Sequence, residues 1–298
     1  QKTETPESVE YDRLSPTTSQ QSTGRRAALA AWITHPQNPL TPRVAINHIW
    51  LRHFHAPLVE SVYDFGRNGK PPTHPQLLDW LAVELVENDW SMKHIHRLIV
   101  TSRAYQMSSS SHGLDANIAI DSANQNLWRR NSSRMEAEVV RDSLLAIAGV
   151  LDSTVGGEVR PNTEAMTTFR RSLYYEVYPE SGGNNAMAEV FDAPDPGECF
   201  RRSSTVMPQQ ALALSNSEIM HSSTKKTALR ITEATSDDDE KFVSHAFQRV
   251  LSRLPGEREH AAAMQFLQQQ LQTADSVESA YESLVRVLFN HNDFVTVR

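Results

Sequence analysis

Apolar residues recur at helical spacing in almost every structured stretch of this chain, and that periodicity most constrains what it can fold into. Leu77, Leu78, Leu81, Val83 and Leu85 follow one another this way, as do Ile95, Leu98 and Ile99, then Val140, Leu144, Ile147 and Leu151. Val44, Ile46, Ile49, Trp50 and Phe54 make an earlier stripe, with Asn47 and His53 on its flanks. The run from Arg171 to Val177 is the best strand candidate. The pattern predicts a mainly α protein: an irregular multi-helix bundle with long ordered loops and at most a short β element. No repeat of fixed period appears, which argues against a solenoid.

End signals place the elements. A helix from Arg26 to Ile33 stops at His35-Pro36. Thr41-Pro42 supplies an N-cap and a first-turn proline for a helix reaching about Phe54. Thr73-x-x-Gln76 and Ser133-x-x-Glu136 read as capping boxes, and Trp90-Ser91 opens a further helix. Pro57, Gly66, Gly69, Pro71 and Pro72 make 55–73 an ordered loop, and the Ser- and Asn-rich stretch 107–123 reads as another. Helices return at about 207–220, 238–252, 257–273 and 277–290, with an acidic start at Asp237–Glu240 and a tight turn at Leu254-Pro255-Gly256. Residues 1–23, rich in Ser, Thr, Gln and Pro, read as a linker or arm. Residues 24–298 then form a single helical domain, with a possible subdomain break near 155.

Composition excludes some functions. A net charge of -7 argues against a general nucleic-acid binder, which needs a basic face against phosphates. The longest apolar run, Ala27 to Ile33, is too short to span a bilayer. Cys199 is the only cysteine, so no internal disulfide, Cys-x-x-Cys pair or covalent haem motif can form. The start at Gln1 rather than Met suggests a fragment or a processed product.

The chemistry-bearing residues fall into a few groups. Asp64-Phe65-Gly66 lacks the upstream motifs of a kinase, and Gly66-x-x-Gly69-Lys70 is too short for a phosphate loop. The bland reading is that Asp64 braces a loop and Gly66 permits its turn. Among twelve histidines, His53-x-His55 and His94-x-His96 point to different sides of a helix, and no His-Glu-x-x-His exists. Structural histidines are therefore expected, with no metal and no cofactor. Glu138 and Asp142, four apart, share a face and have the residue types to share a proton or hold a cation; the alternative is an ion-pair ladder with Arg134 and Arg141. Arg201, Arg202, Ser204 and Thr205 precede a helix at Pro208 and have the donors to hold an anion, against a cap with salt bridges to Asp192 or Asp195. The tryptophans read as core.

The ordered set of matches identifies a family. Asn38-Pro39-Leu40-Thr41, Arg43-Val44, Asn47 with Trp50, Asp64-Phe65-Gly66, His74-Pro75 and Leu77-Leu78-Asp79-Trp80-Leu81-Ala82 form the first block. Leu127-Trp128-Arg129, Arg134, Glu136-Ala137-Glu138 and Arg141-Asp142 form the second. Arg171-Ser172-Leu173-Tyr174, Phe191-Asp192, Pro194-Asp195, Cys199, Arg202, Ser204-Thr205, Pro208 and Gln210-Ala211-Leu212 form the third. From about Arg25 onward the chain resembles the PSD1 family, domain of unknown function 1553, of planctomycete-type multidomain proteins. His48 and His55 depart from the family pattern, which has Arg and Gly there. The resemblance implies no chemistry, but it implies context: an exported, extracytoplasmic protein, periplasmic or secreted. Its partners would be N-terminal domains of the same longer polypeptide, a cytochrome-c-like module among them, with no nucleic acid and no membrane insertion. The leading expectation is a structural or interaction module. The alternatives are an enzyme or ligand-binding domain acting on a saccharide or other surface polymer, and a small-ligand or metal module assisting a redox partner. For the enzyme, Asp64, His74, Glu138 and Asp142 are the acid–base candidates. Arg141, Arg201, Arg202, Ser204 and Thr205 are the anion ligands.

Overall fold

The computed structural model describes residues 24–178, 180, 183–193, 202, 205–236 and 238–297. The chain divides into two units, the first ending at Asn131 and the second starting at Ser132. The sequence placed its candidate break near 155, which lies inside the second unit. The arm expected at 1–23 lies outside the described residues. Among the described residues the protein is mainly α, with twelve helices and one two-stranded sheet. No helix among them is long and apolar enough to cross a membrane.

The first unit contains α1 (Arg25–Ile33), α2 (Leu40–Phe54), α3 (Pro75–Glu87), α4 (Met92–Val100) and α5 (Asp115–Ile120). Ile46, Trp50 and Phe54 of α2 meet Leu78, Leu81 and Leu85 of α3 and Ile95 and Ile99 of α4 in one core. The Trp50 and Phe54 rings stack with centroids 4.1 Å apart. Asn47 is not on a flank, as the apolar stripe suggested, but fully buried. Its amide donates to the Val59 carbonyl at 3.0 Å, and its Oδ1 accepts from the Val59 N–H at 2.8 Å. One side chain thus completes a backbone-like pair that ties the 55–73 loop to α2, and Leu58 and Val59 are drawn into the core behind it.

The second unit runs β1 (Ser133–Arg134), α6 (Ala137–Ala148), α7 (Ala186–Val190), α8 (Pro208–Asn216), α9 (Glu218–Thr235), α10 (Asp239–Leu251), α11 (Glu257–Thr273), α12 (Val277–Phe289) and β2 (Thr296–Val297). β1 and β2 pair antiparallel, with Ser133 opposite Val297 and Arg134 opposite Thr296. α9 is central, packing on α6, α8, α10 and α12. The sequence ended a helix near 220 and did not anticipate α9 beyond it. Its buried face is made largely of Ser223, Thr224, Thr227 and Ala228, between Ile219 and Ile231. Small residues allow close helix approach, but they carry no apolar periodicity to read.

Several end signals resolve differently. Pro39, not Thr41, caps α2, and the Asn38 side chain accepts from the Leu40 N–H at 2.9 Å. His74 sits at the N-cap of α3 because Thr73 is spent on the Leu58 carbonyl. Ser133 belongs to β1, and α6 starts after Glu136. The expected loop at 107–123 contains α5. The candidate strand at 171–177 holds a 3-10 turn at Ser172–Tyr174, whose Ser172 N–H donates to the Asp142 side chain, followed by a single parallel bridge of Tyr175 with Arg160.

Candidate functional site

The candidate residues fall into both units. In the first, Asp64 Oδ1 accepts from the Gly66 N–H at 2.7 Å, closing the turn that Gly66 permits. A Cβ on Gly69 would lie 2.1 Å from the Asp64 carbonyl oxygen, so the loop closes only around a glycine. His74 pairs its Nδ1 with the Thr73 hydroxyl at 3.0 Å. Both residues order the segment that leads into α3.

The first unit also holds a contact that sequence spacing hid. His53 and His96, one from each i, i+2 pair, meet across α2 and α4, with Nε2 of His53 2.7 Å from Nδ1 of His96. Tyr105 stands edge-on to His53, with ring centroids 5.5 Å apart. Burial, and then the charges of His96, Arg130 and His55, hold the His53 pKa below the usual imidazole value. Among the described residues, no group of three or more His, Cys, Asp or Glu side chains is placed to hold a metal.

In the second unit α6 presents Glu138, Arg141 and Asp142; Glu138 has its own partner, while Arg141 and Asp142 meet at 3.5 Å and share Ser172. Glu138 takes a two-pronged ion pair from Arg202, with Nη1–Oε2 at 2.8 Å and Nη2–Oε1 at 3.1 Å. Glu136 stands 3.7 Å from the same guanidinium. Asp142 Oδ1 accepts from both the N–H and the hydroxyl of Ser172, at 2.8 and 2.7 Å. The ladder expected with Arg134 and Arg141 forms in part: Arg141 Nη1 lies 3.5 Å from Asp142 Oδ1, but Arg134 donates to the Gln210 side-chain oxygen at 2.7 Å.

Arg141 is 1% exposed and organises the segment after α6. Nε and Nη2 donate to the Ala165 carbonyl at 3.0 and 2.7 Å, Nη2 to the Thr168 carbonyl at 2.7 Å, and Nη1 to the Arg170 carbonyl at 2.8 Å. The Tyr175 hydroxyl accepts a further bond at 3.1 Å, and its ring lies under the guanidinium. Burial pulls the Arg141 pKa down from its usual value, with Tyr175 and Asp142 opposing the shift. A planar cation with five N–H groups can fan out to several carbonyls at once, which no other side chain does.

Of the expected anion ligands, Arg201 and Ser204 lie outside the described residues, as do Asp195 and Cys199. Thr205 donates its N–H and hydroxyl to the two oxygens of Asp192, both at 2.7 Å. Arg202 pairs with Glu138 rather than with Asp192. The structure therefore brings together Glu138 with Arg202 and Asp142 with Arg141, each bonded to other protein groups. Sequence reasoning missed Ser172, Tyr175 and Gln210 as the counterparts. Their separation from α6 along the chain leaves no local signal.

The model of the PSD1 family, described as a protein of unknown function (DUF1553), matches residues 25–267. The chain belongs to the PSD1 family. No curated protein and no solved structure matches it. The PSD1 match covers all of α1 to α10 and most of α11, so it takes in both the Asn47–Val59 tie and the Arg141 centre.

Proposed function

We propose that this PSD1 chain is a structural or interaction module of an exported multidomain protein. It works outside the cytoplasm beside other domains of its own polypeptide, a cytochrome-c-like module among them. One observation carries the reading. The candidate acid, base and anion-binding side chains of the second unit are spent on one another and on the backbone: Glu138 on Arg202, Asp142 on Ser172, Arg141 on three carbonyls, Thr205 on Asp192. General acid–base catalysis needs a carboxyl group within reach of a substrate proton. Here the carboxylates hold up the fold.

A panel of glycoside, ester and phosphoester substrates tests this with the 298-residue chain, Glu138→Gln and Asp142→Asn, each checked for folding by circular dichroism. The expected outcome is no turnover above buffer in any of the three. Turnover by the wild type that vanishes in a folded variant would replace the module reading with an enzyme.

A further inference from the structure

Between α9 and α10 lies a cleft of about 230 Å³, lined by Arg230, Ile231, Ala234, His245, Gln248 and Arg249. Four of these six side chains carry N–H donors, and none is a carboxylate. Arg249 spends only Nε on the protein, donating to the Ile147 carbonyl in the last turn of α6 at 3.2 Å. Arg230 is exposed and makes no side-chain hydrogen bond among the described residues. Its guanidinium packs on Gly149, the left-handed C-cap of α6, where a Cβ would lie 1.5 Å from Nη1. Neither arginine forms an ion pair among the described residues, and Glu233, one turn along α9 from Arg230, does not reach it.

The charge here is unbalanced. The carboxyl end of α6 supplies about half a negative charge. Two guanidinium groups carry two positive ones, so more than one remains uncompensated. Burial, then the charge of Arg230, pull the Arg249 pKa down, a penalty that an incoming anion reverses. Geometry selects the kind of anion. One guanidinium fork fills both oxygens of a carboxylate. Two forks from separate helices, with the Gln248 amide and the His245 ring, offer donors for the three or four oxygens of a tetrahedral oxyanion. The cleft holds several times the roughly 30 Å³ share of one water, which leaves room for an ester substituent. We propose that this cleft binds a phosphate or sulfate ester, with Arg230 and Arg249 as its oxyanion ligands.

The test follows the arginine Nε–H signals of the 298-residue chain by NMR, with Arg249 and Arg230 assigned from Arg249→Gln and Arg230→Gln. Inorganic phosphate, sulfate and acetate are titrated at ionic strength held constant with sodium chloride. The expected result is a saturable shift of both signals with phosphate or sulfate, at about tenfold lower concentration than with acetate, as one extra charge-assisted bond predicts. The oxyanion that saturates first identifies the ester. Arg230→Gln has no internal hydrogen bond to lose, and it should weaken binding by about tenfold or more with an unchanged far-UV spectrum. Unsaturable shifts, acetate binding as tightly as either oxyanion, or full affinity in Arg230→Gln would each overturn the proposal.

Discussion

Replacing Arg141 by Met keeps the length and apolar stem of the side chain and removes every bond its head makes. Three carbonyls, those of Ala165, Thr168 and Arg170, lose their donors. A buried acceptor left without a partner costs about 1–3 kcal/mol. The new methionine returns about 2 kcal/mol through apolar burial. The net loss should be about 4 kcal/mol, in the range of about 3–5 kcal/mol found when one member of a buried charged network is removed. For a unit of this size that lowers the melting temperature by about 8–16 °C. Arg141→Lys keeps the charge but directs three N–H groups from a single atom, and should lose about 2 kcal/mol. The assay is urea unfolding followed by far-UV circular dichroism. All five tryptophans, at 32, 50, 80, 90 and 128, lie in the first unit, so their fluorescence reads that unit separately. A loss below about 1 kcal/mol in Arg141→Met would refute the reasoning, because the carbonyls would then have other donors.

Other perturbations have definite signs. Arg253 and the Gly256 N–H hold the Glu259 carboxyl down to about 2. Its stabilising effect is therefore complete above the unfolded value, near 4.3, and is lost as pH falls toward 2. Screening at this partly exposed pair limits the effect to about 1 kcal/mol, and Glu259→Gln should flatten that part of the stability–pH curve. His53 is depressed in the folded state, so the protein gains stability as pH rises toward 6.5; the His53 ring proton should titrate below 6.5 by NMR, and a midpoint above it would sink the assignment. His55 ends α2 in the left-handed region, with φ 57°. His55→Gly should stabilise by roughly 0.5 kcal/mol in chemical unfolding, the relief of left-handed strain less the added freedom of unfolded glycine; a loss would mean that the imidazole contributes more than its backbone costs.

Much of the helical frame was legible because its signals are local. Ser91 caps α4 by accepting from the His94 N–H, as its place before an apolar stripe implied. Val140 and Leu144 are fully buried on the predicted face of α6, and Gly149 ends that helix. Asp238 caps α10 within the acidic start. What failed was competitive or distant. Thr73 looked like a cap but is used by the loop, and Ser133 by a strand partner more than 160 residues away. His53 and His96 sit in pairs whose own two members point to different sides, yet a helix crossing joins one member of each. Arg141 looked like part of an ion-pair ladder, because a sequence does not reveal that carbonyls 24 to 29 residues later turn back to meet it.

The β1–β2 pair has a mechanical consequence. The backbone of the second unit enters at Ser133 and leaves at Val297, directly opposite each other in an antiparallel ladder. Tension pulling those two points apart loads the ladder as a zip, so its hydrogen bonds break one after another rather than together. The pair, with the neighbouring Met135–Val295 bond, is a clasp that yields at low force. Once it opens, β1 peels back toward α6 and β2 toward α12, and the pull reaches the helical core only then.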